Sequence, residues 1–343
     1  MATSATSGLS APLTPSPARF RRGSGNARRA GIGWLLILGI AVIEVFGHFV
    51  ILSRVPPEAD WARAAEHVRS AWRERDLVVS APRWTDPLLR QVLGDRIAFS
   101  DAGRSDLAAY ERLWVVSIRG ADAEEAPRGR PAFERAFGRV RVRRWDLGAS
   151  EVLYDFVTHV EGARVTWAQP GAEQPCPFRG TGVATGGGLG AGAMTPARRH
   201  VCDPRRPWLW VGATVTEDLD LRPRYCIWQH PAGTEPIVAR FESVPLGERM
   251  VLYGGLYYEH ERMREHGPIE VNVRVDGVPV GHMTHRDGDG WKRIEMLTRS
   301  AEEAGADPAR RGTVTVEVIA PNPQLRTFCW AGTTRTAPRQ EEP

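Results

Sequence analysis

Residues 31–53 read GIGWLLILGIAVIEVFGHFVILS, an apolar run interrupted by two ionisable residues, Glu44 and His48. As a helix rising about 1.5 Å per residue it spans roughly 34 Å, enough to cross a hydrocarbon core. From residue 58 to about 147, helical and strand-like patterns alternate. EADWARAAEHVRSAWRERD sets Trp61, Ala64, Ala65, Val68 and Trp72 near one helical face. LVVSAP (77–82), RIAFS (96–100), LWVVSIRG (113–120) and FGRVRVRRWDL (137–147) contain strands, while TDPLLRQVLG (85–94) and SDLAAYERL (105–113) have helical spacing. That alternation predicts a small parallel sheet with helices on its faces. Beyond residue 150 the character is β. VLYDFVTHV, ARVTWAQ, PWLWVGATV, YCIWQH, IVARFESV, RMVLYGGLYY, IEVNVRVDG, WKRIEMLT and TVTVEVIA are strand-like, with turns between them such as Asp276-Gly277. This density of short strands predicts a β-sandwich or jelly roll. The fold class is therefore α+β: a two-domain ectodomain on one transmembrane helix. Its parts are a basic tail (1–30), the anchor (31–53), a small α/β parallel-sheet domain (57–150), a β-sandwich (151–335) and a tail (336–343), with fraying expected from TTRTAPRQEEP onward.

Composition alters this picture in one respect. The net charge of +4 suggests nucleic acid, but residues 1–30 hold five arginines and no acid, so the remaining 313 residues net −1. A duplex-binding domain needs a concentrated basic face, so nucleic acid is excluded as a partner. The tail is poor in apolar residues and is expected to be disordered.

The same five arginines orient the anchor. A cleaved signal peptide has a shorter apolar core and a small-residue cleavage site, whereas Arg54, Pro56 and Pro57 follow this run. The run reads as an uncleaved signal anchor, with the N-terminus cytoplasmic and the bulk of the chain outside. All four cysteines, Cys176, Cys202, Cys226 and Cys329, follow the anchor, and none forms a CxxC pair. An even count in an exported domain favours disulfides over zinc. Of three possible pairings, Cys176–Cys202 and Cys226–Cys329 are preferred. Glu44 and His48, at i and i+4, share one helix face. They form either a docking face for an integral-membrane partner or a second copy, or an interfacial histidine beside a protonated glutamate.

Chemistry is sparse. There is no GxSxG elbow, and HERMREH (260–266) places its histidines six apart, unsuited to zinc on one helical face. In HMTHRDGDGW (282–291), His282, His285, Asp287 and Asp289 can be imagined around a cation, but the Asp-Gly repeat is what a turn needs. The glycine-rich segment 180–193 lacks the frame of a phosphate loop and reads as a loop tied at its base by Cys176 and Cys202. Asp86, Asp95 and Asp101 near strand ends read as caps or loop solvation. No catalytic residue, metal site or cofactor is assigned. The aromatics Trp208, Trp210, Trp228, Tyr253, Tyr257, Tyr258, Trp291 and Trp330 are many for a sandwich. Most are expected in the core. Tyr257-Tyr258 is the exception, because neighbours in a strand face opposite sides unless they sit at its end. With His260 and Trp291 it forms the candidate ligand-binding rim.

Two stretches resemble known families. DWARAAEHVRSAWRERDLVVSAPRWTDPLLRQVLGD followed by ERLWVVSIRG, with Trp61, Asp76, Pro82 and Trp114, is similar to the soluble extracytoplasmic region of GT-C type polyprenyl-phosphate-sugar glycosyltransferases (58–155). IVARFESVPLGERMVLYGGLYY through GWKRIEMLTRS to TVTVEVIAPNPQLRTFCWAG resembles a galactose-binding-like, carbohydrate-binding-module-like sandwich (225–335). The GT-C catalytic acids lie in a multi-helix membrane domain that this chain does not contain, so no catalytic residue carries over. Together the resemblances imply a single-pass protein of the bacterial plasma (inner) membrane with a periplasmic C-terminal bulk. It would bind glycan or polyprenyl-linked sugar as a non-catalytic accessory to a polytopic glycosyltransferase or exporter. The alternatives are a protein–protein scaffold without sugar binding and, less favoured, a transferase or hydrolase using the α/β crevice.

Overall fold

The structure is a computed structural model that describes residues 26–180, 182–187, 192–264, 266–298 and 310–336. Two compact units result, Met1–Val55 and Pro56–Pro343. In the first, helix α1 (Asn26–Ser53) starts five residues before the apolar run. Residues 26–30 are thus helical rather than part of a disordered tail, whereas residues 1–25 lie outside the described residues. The helix is long and apolar enough to cross a membrane. Its large side chains, Trp34, Leu36, Ile43 and Phe46 among them, are exposed. Glu44 and His48 are exposed as well, one turn apart.

The second unit opens with α2 (Glu58–Ala71), β1 (Asp76–Ala81), α3 (Asp86–Leu93), α4 (Phe99–Ala102), β2 (Arg112–Ile118), β3 (Phe133–Phe137) and β4 (Val140–Asp146). The strands form one sheet in the order β1-β2-β4-β3. Only β1 and β2 run parallel; the other pairs are antiparallel. The expected all-parallel sheet is therefore a mixed one. A two-residue turn, Gly138-Arg139, joins β3 to β4, and so short a link permits only antiparallel pairing. Gly138 has φ +63°, and a Cβ there would collide with the Asp60 carboxylate, which accepts a hydrogen bond from the Arg139 amide at 2.9 Å.

Helices cover one face only. Trp61, Ala64, Ala65 and Val68 of α2 and Leu89 and Leu93 of α3 pack on Val78, Trp114, Val116, Val140 and Val142. Loop residues such as Tyr110 and Ala123 cover the opposite face, against Leu77, Val79, Leu113, Val115 and Trp145. Two expected elements are replaced. RIAFS is no strand: Gly94–Arg96 is a 3-10 turn and Phe99 opens α4. SDLAAYERL is no helix, because the Asp106 carboxylate binds the Ala108 amide at 2.9 Å while receiving Tyr253 Oη at 2.7 Å and Arg335 Nη2 at 2.6 Å. A local side-chain acceptor of this kind competes with helical bonding. Asp76 is buried, bonded to Arg112 Nε at 2.6 Å and to Trp114 Nε1 at 2.9 Å, and so ties β1 to β2.

The rest is sandwich-like. In chain order it comprises β5 (Val152–Asp155), α5 (Phe156–His159), β6 (Arg164–Gln169), β7 (Ala172–Pro175), β8 (Phe178–Arg179), β9 (Arg199–Val201), β10 (Trp210–Glu217), β11 (Pro223–Gln229), β12 (Ile237–Pro245) and β13 (Arg249–Leu256). Then follow α6 (Tyr258–Met263), β14 (Ile269–Val275), β15 (Val278–His285), β16 (Lys292–Leu297), β17 (Arg311–Ile319) and β18 (Phe328–Arg335). One sheet runs β16-β13-β18-β11-β10-β9-β8, with β5 also on β18, and the other runs β15-β14-β17-β12-β6-β7. Alternate residues of both sheets meet in one core, Ile227, Leu252 and Phe328 from the first against Ala239, Val273 and Val316 from the second. Asp276 and Gly277, at φ +50° and +82°, make the tight turn between β14 and β15.

VLYDFVTHV is strand only to Asp155, whose carboxylate then caps α5 through the Val157 amide at 2.8 Å. The C-terminal segment is ordered further than expected. Thr333–Arg335 belong to β18, and the Thr336 amide donates to the Glu151 carbonyl at 3.0 Å; residues 337–343 lie outside the described residues.

The disulfides are Cys176–Cys202 and Cys226–Cys329, the pairing preferred from the sequence. The second joins neighbouring central strands, β11 and β18, not the first and last strands of a domain. Thr185 of the glycine-rich segment exchanges backbone bonds at 3.0 Å with Thr195, just beyond it; residues 181 and 188–191 lie outside the described residues.

Candidate functional site

Four connections converge on a hollow of about 510 Å³. They are the β9–β10 turn, the β11–β12 turn, helix α6 and the β17–β18 loop. Each is built by local chemistry. Asp203 accepts from the Arg205 amide at 2.9 Å, which bends the chain just after Cys202. The Asn322 side chain accepts from the Gln324 amide at 3.1 Å, an Asx turn of the type that starts loops without regular pairing.

Trp208 is 50% exposed and lines the hollow, whereas Trp210, the first residue of β10, is 3% exposed. Trp228 lies between them in function. Its ring stacks on Trp210 at 5.2 Å, and its Nε1 donates to the Trp208 carbonyl at 3.0 Å. The buried stack thus fixes the backbone that displays Trp208. Behind it, the Cys226–Cys329 disulfide packs in the same cluster.

Two imidazoles complete the wall. His230 Nδ1 lies 2.8 Å from the Pro231 carbonyl. A carbonyl only accepts, so Nδ1 carries the proton and Nε2 is left as an acceptor. Burial pulls the His230 pKa down to about 4; the Pro231 bond opposes this, and the charges of His260 and Arg326 reinforce it. His260 is shifted down as well, by burial first and then by Arg326 and His266, with Glu259 opposing. Its Nδ1 is 3.0 Å from Thr327 Oγ1. Both rings are therefore neutral near pH 7; with Nδ1 engaged by Pro231 or Thr327, each has its Nε2 left for a ligand, an acceptor in His230.

Helix α6 holds His260 in place from below. Glu261, on the next position, is 0% exposed and sits 3.4 Å from His285, also 0% exposed. It accepts from the Gly290 amide at 2.6 Å. Arg326, a buried residue of the β17–β18 loop, pairs with Asp287 at 2.6 Å.

The candidate rim residues separate. Tyr257 and His260 line a second depression that shares Trp228, His260 and Thr327 with the hollow. Tyr257 ends a strand rather than alternating within one, and it is buried. Burial, with its bond to Tyr258 next, pushes its hydroxyl up to about 12. Tyr258 bonds Glu259 at 3.2 Å and lies under Arg262. Trp291 lines neither the hollow nor the depression: it packs on the Trp210–Trp228 and Cys226–Cys329 cluster behind the site, its Nε1 donating to Ser105 at 3.1 Å and its ring covered by Arg224 at 5.4 Å.

The imagined cation ligands are each otherwise engaged. His282 bonds Asn272, His285 faces Glu261, Asp287 holds Arg326, and Asp289 accepts from the Arg286 amide and Lys292 in the turn. Asp86 pairs with Arg90, Asp95 with Arg69 and Arg96, and Asp101 accepts from Tyr110. Trp208 and Trp228 stand in the sequence among the aromatics expected mostly in the core, and nothing there points to His230 or Thr327. The available signal was the Pro-rich turn DPRRPW, which delays the strand and leaves a tryptophan outside it.

No family model matches the chain, and no curated protein matches it. Among solved structures, the CBM51-2 and INT domains of Clostridium perfringens ZmpB align at 14% identity and TM-score 0.26, over 36% of this chain and 26% of that one. Tandem CBM51 modules of Sp3GH98, from Streptococcus pneumoniae SP3-BS71, align at 14% and 0.27, over 38% of each chain. The CBM51 of Clostridium perfringens GH95, solved with methyl-galactose, aligns at 12% and 0.24, over 36% of this chain and 79% of that one. These neighbours are carbohydrate-binding modules, and the likeness is partial. None of the three is a GT-C transferase.

Proposed function

We propose that the protein binds a neutral glycan in the hollow beside Trp208. The observation that carries this reading is the half-exposed Trp208 ring at the edge of a concave site whose one charged lining group, Arg206, is paired with Asp203 at 3.6 Å. The apolar C–H face of a pyranose packs on such a ring, and its hydroxyls, each donor and acceptor at once, match neutral imidazoles and the Asn322 and Gln324 amides. Helix α1 anchors the protein in the plasma membrane in this reading, with the N-terminus cytoplasmic and the disulfide-bonded unit periplasmic. That placement suits an accessory that holds glycan or polyprenyl-linked sugar near a polytopic transferase or exporter. Of the expected rim, His260 borders the ligand and Tyr257 lines the adjoining depression; Tyr258 and Trp291 line neither. Glu44 and His48 face the membrane partner.

The test is a glycan array probed with the detergent-solubilised full chain. Binding is expected for the parent and at least tenfold weaker for Trp208→Ala, a loss of about 1.4 kcal/mol. Retention of full affinity by Trp208→Ala refutes the assignment of the site. The Tyr257→Ala plus Tyr258→Ala variant is a poorer probe, since Tyr257 is buried.

A further inference from the structure

Sharing no lining residue with the hollow, a second cavity of about 320 Å³ opens between the carboxyl end of β1 and the start of β11. Five arginines line it, Arg83, Arg90, Arg104, Arg222 and Arg224, against three carboxylates, Asp86, Asp106 and Glu125. Asp86 pairs with Arg90 and Glu125 with Arg104 inside the cavity, so its positive excess rests on Arg83, the one lining arginine without an ion pair among the described residues. Asp106 is taken up by Tyr253 and Arg335, the latter outside the cavity. Arg222 and Arg224 are held by acids that do not line it, Glu124 at 2.9 Å and Asp218 at 2.7 Å.

Each guanidinium carries five N–H donors in a fixed fork, and one carboxylate contact leaves most of them free. Such pairs fix the side chain without exhausting it. Arg222 Nε is buried and has no acceptor among the described residues. Arg83 is exposed, and its side chain makes no ion pair or hydrogen bond among the described residues. Ser80 and Ser105 also line the cavity, and Ser105 accepts from Trp291, so its hydroxyl proton is available.

We infer that this cavity is an anion site that takes a diphosphate group. Several forks converging on a space of this size match the multiple oxygens of linked phosphates, which accept bidentate bonds from arginine. A single carboxylate would satisfy only one fork. The diphosphate arises either as a free ion or as the headgroup of a lipid diphosphate, and both present the same oxygens to Arg83, Arg90 and Arg222.

The experiment is calorimetric titration of the detergent-solubilised full chain with sodium pyrophosphate and, separately, with farnesyl diphosphate. Saturable binding of either probe is expected, at least tenfold weaker in Arg83→Ala plus Arg222→Ala, and partly retained in Arg83→Lys. Equal binding of both probes assigns the free diphosphate group; binding of farnesyl diphosphate alone assigns the lipid. Melting curves establish that the variants are folded, and Arg83→Ala, which breaks no contact, is the control if the double variant is not. Absence of saturable binding by either probe, or unchanged affinity in a folded Arg83→Ala plus Arg222→Ala chain, overturns the inference. Trp208→Ala is expected to leave pyrophosphate binding unaltered, which separates this site from the glycan reading.

Discussion

Trp208 and Trp210 have the same strand parity, yet one is half exposed and the other buried. Alternation holds only inside a strand, and β10 begins at Trp210. Parity therefore says nothing about Trp208, and only the turn before it does. His230 is the second residue whose role depends on surroundings, and it makes stability depend on pH. Its pKa in the folded protein is about 4 against an ordinary 6.5. The contribution of the buried neutral ring is complete above pH 6.5, declines as the unfolded chain takes up its proton, and levels off below pH 4, a change of about 3 kcal/mol at most. His230→Asn, which can still donate to Pro231, is expected to flatten the fall in melting temperature between pH 7 and pH 4. An unchanged slope would show that His230 is not the responsible group.

Helix α6 was not foreseen, because YYEHERM continues an apolar strand run and carries few residues by which helix could be told from strand. Its buried Glu261 accepts from the Gly290 amide at 2.6 Å and faces His285 at 3.4 Å, partners more than twenty residues away that no local period announces. Glu261→Leu leaves the Gly290 amide without its acceptor and His285 with one fewer polar neighbour, and orphaning a buried polar group costs about 1–3 kcal/mol. The expected result is a lower melting temperature and faster amide exchange in residues 258–263, with His260 loosened and glycan affinity reduced. His285→Leu added to Glu261→Leu removes both polar partners and is expected to recover part of the stability. SDLAAYERL shows the reverse case: a helical period was plain, but Asp106 is claimed by Tyr253 and Arg335, which lie 147 and 229 residues away in sequence.

Taken as a whole, the folded unit is braced by two bridges closing loops of very different length, 26 and 103 residues. In the chain-entropy account each contributes about 3–5 kcal/mol, the longer loop more. Cys226→Ser plus Cys329→Ser is expected to lower the melting temperature more than Cys176→Ser plus Cys202→Ser. It should also weaken glycan binding, since the Cys226–Cys329 bridge packs with the Trp210–Trp228 stack. Equal effects of the two pairs on both measurements would contradict this. For the anchor, resistance of the full chain to carbonate extraction and digestion of residues 56–343 by protease added to spheroplasts are the expected outcomes.

Periodicity over the long range was enough to find α1, α2, most of the antiparallel strands and the Asp276-Gly277 turn, because each of these is dictated by residues close in sequence: an apolar run, a helical stripe, alternation, two residues tolerant of positive φ. The cysteine count and position were sufficient to suggest bridges. What local pattern left open was where chains meet. The mixed direction of the first sheet depends on how β4 returns beside β2, the exposure of Trp208 on where β10 starts pairing, and the arginine cavity on the start of β11 facing the end of β1 across it. Those are contacts between residues tens to hundreds of positions apart, and no local period encodes them.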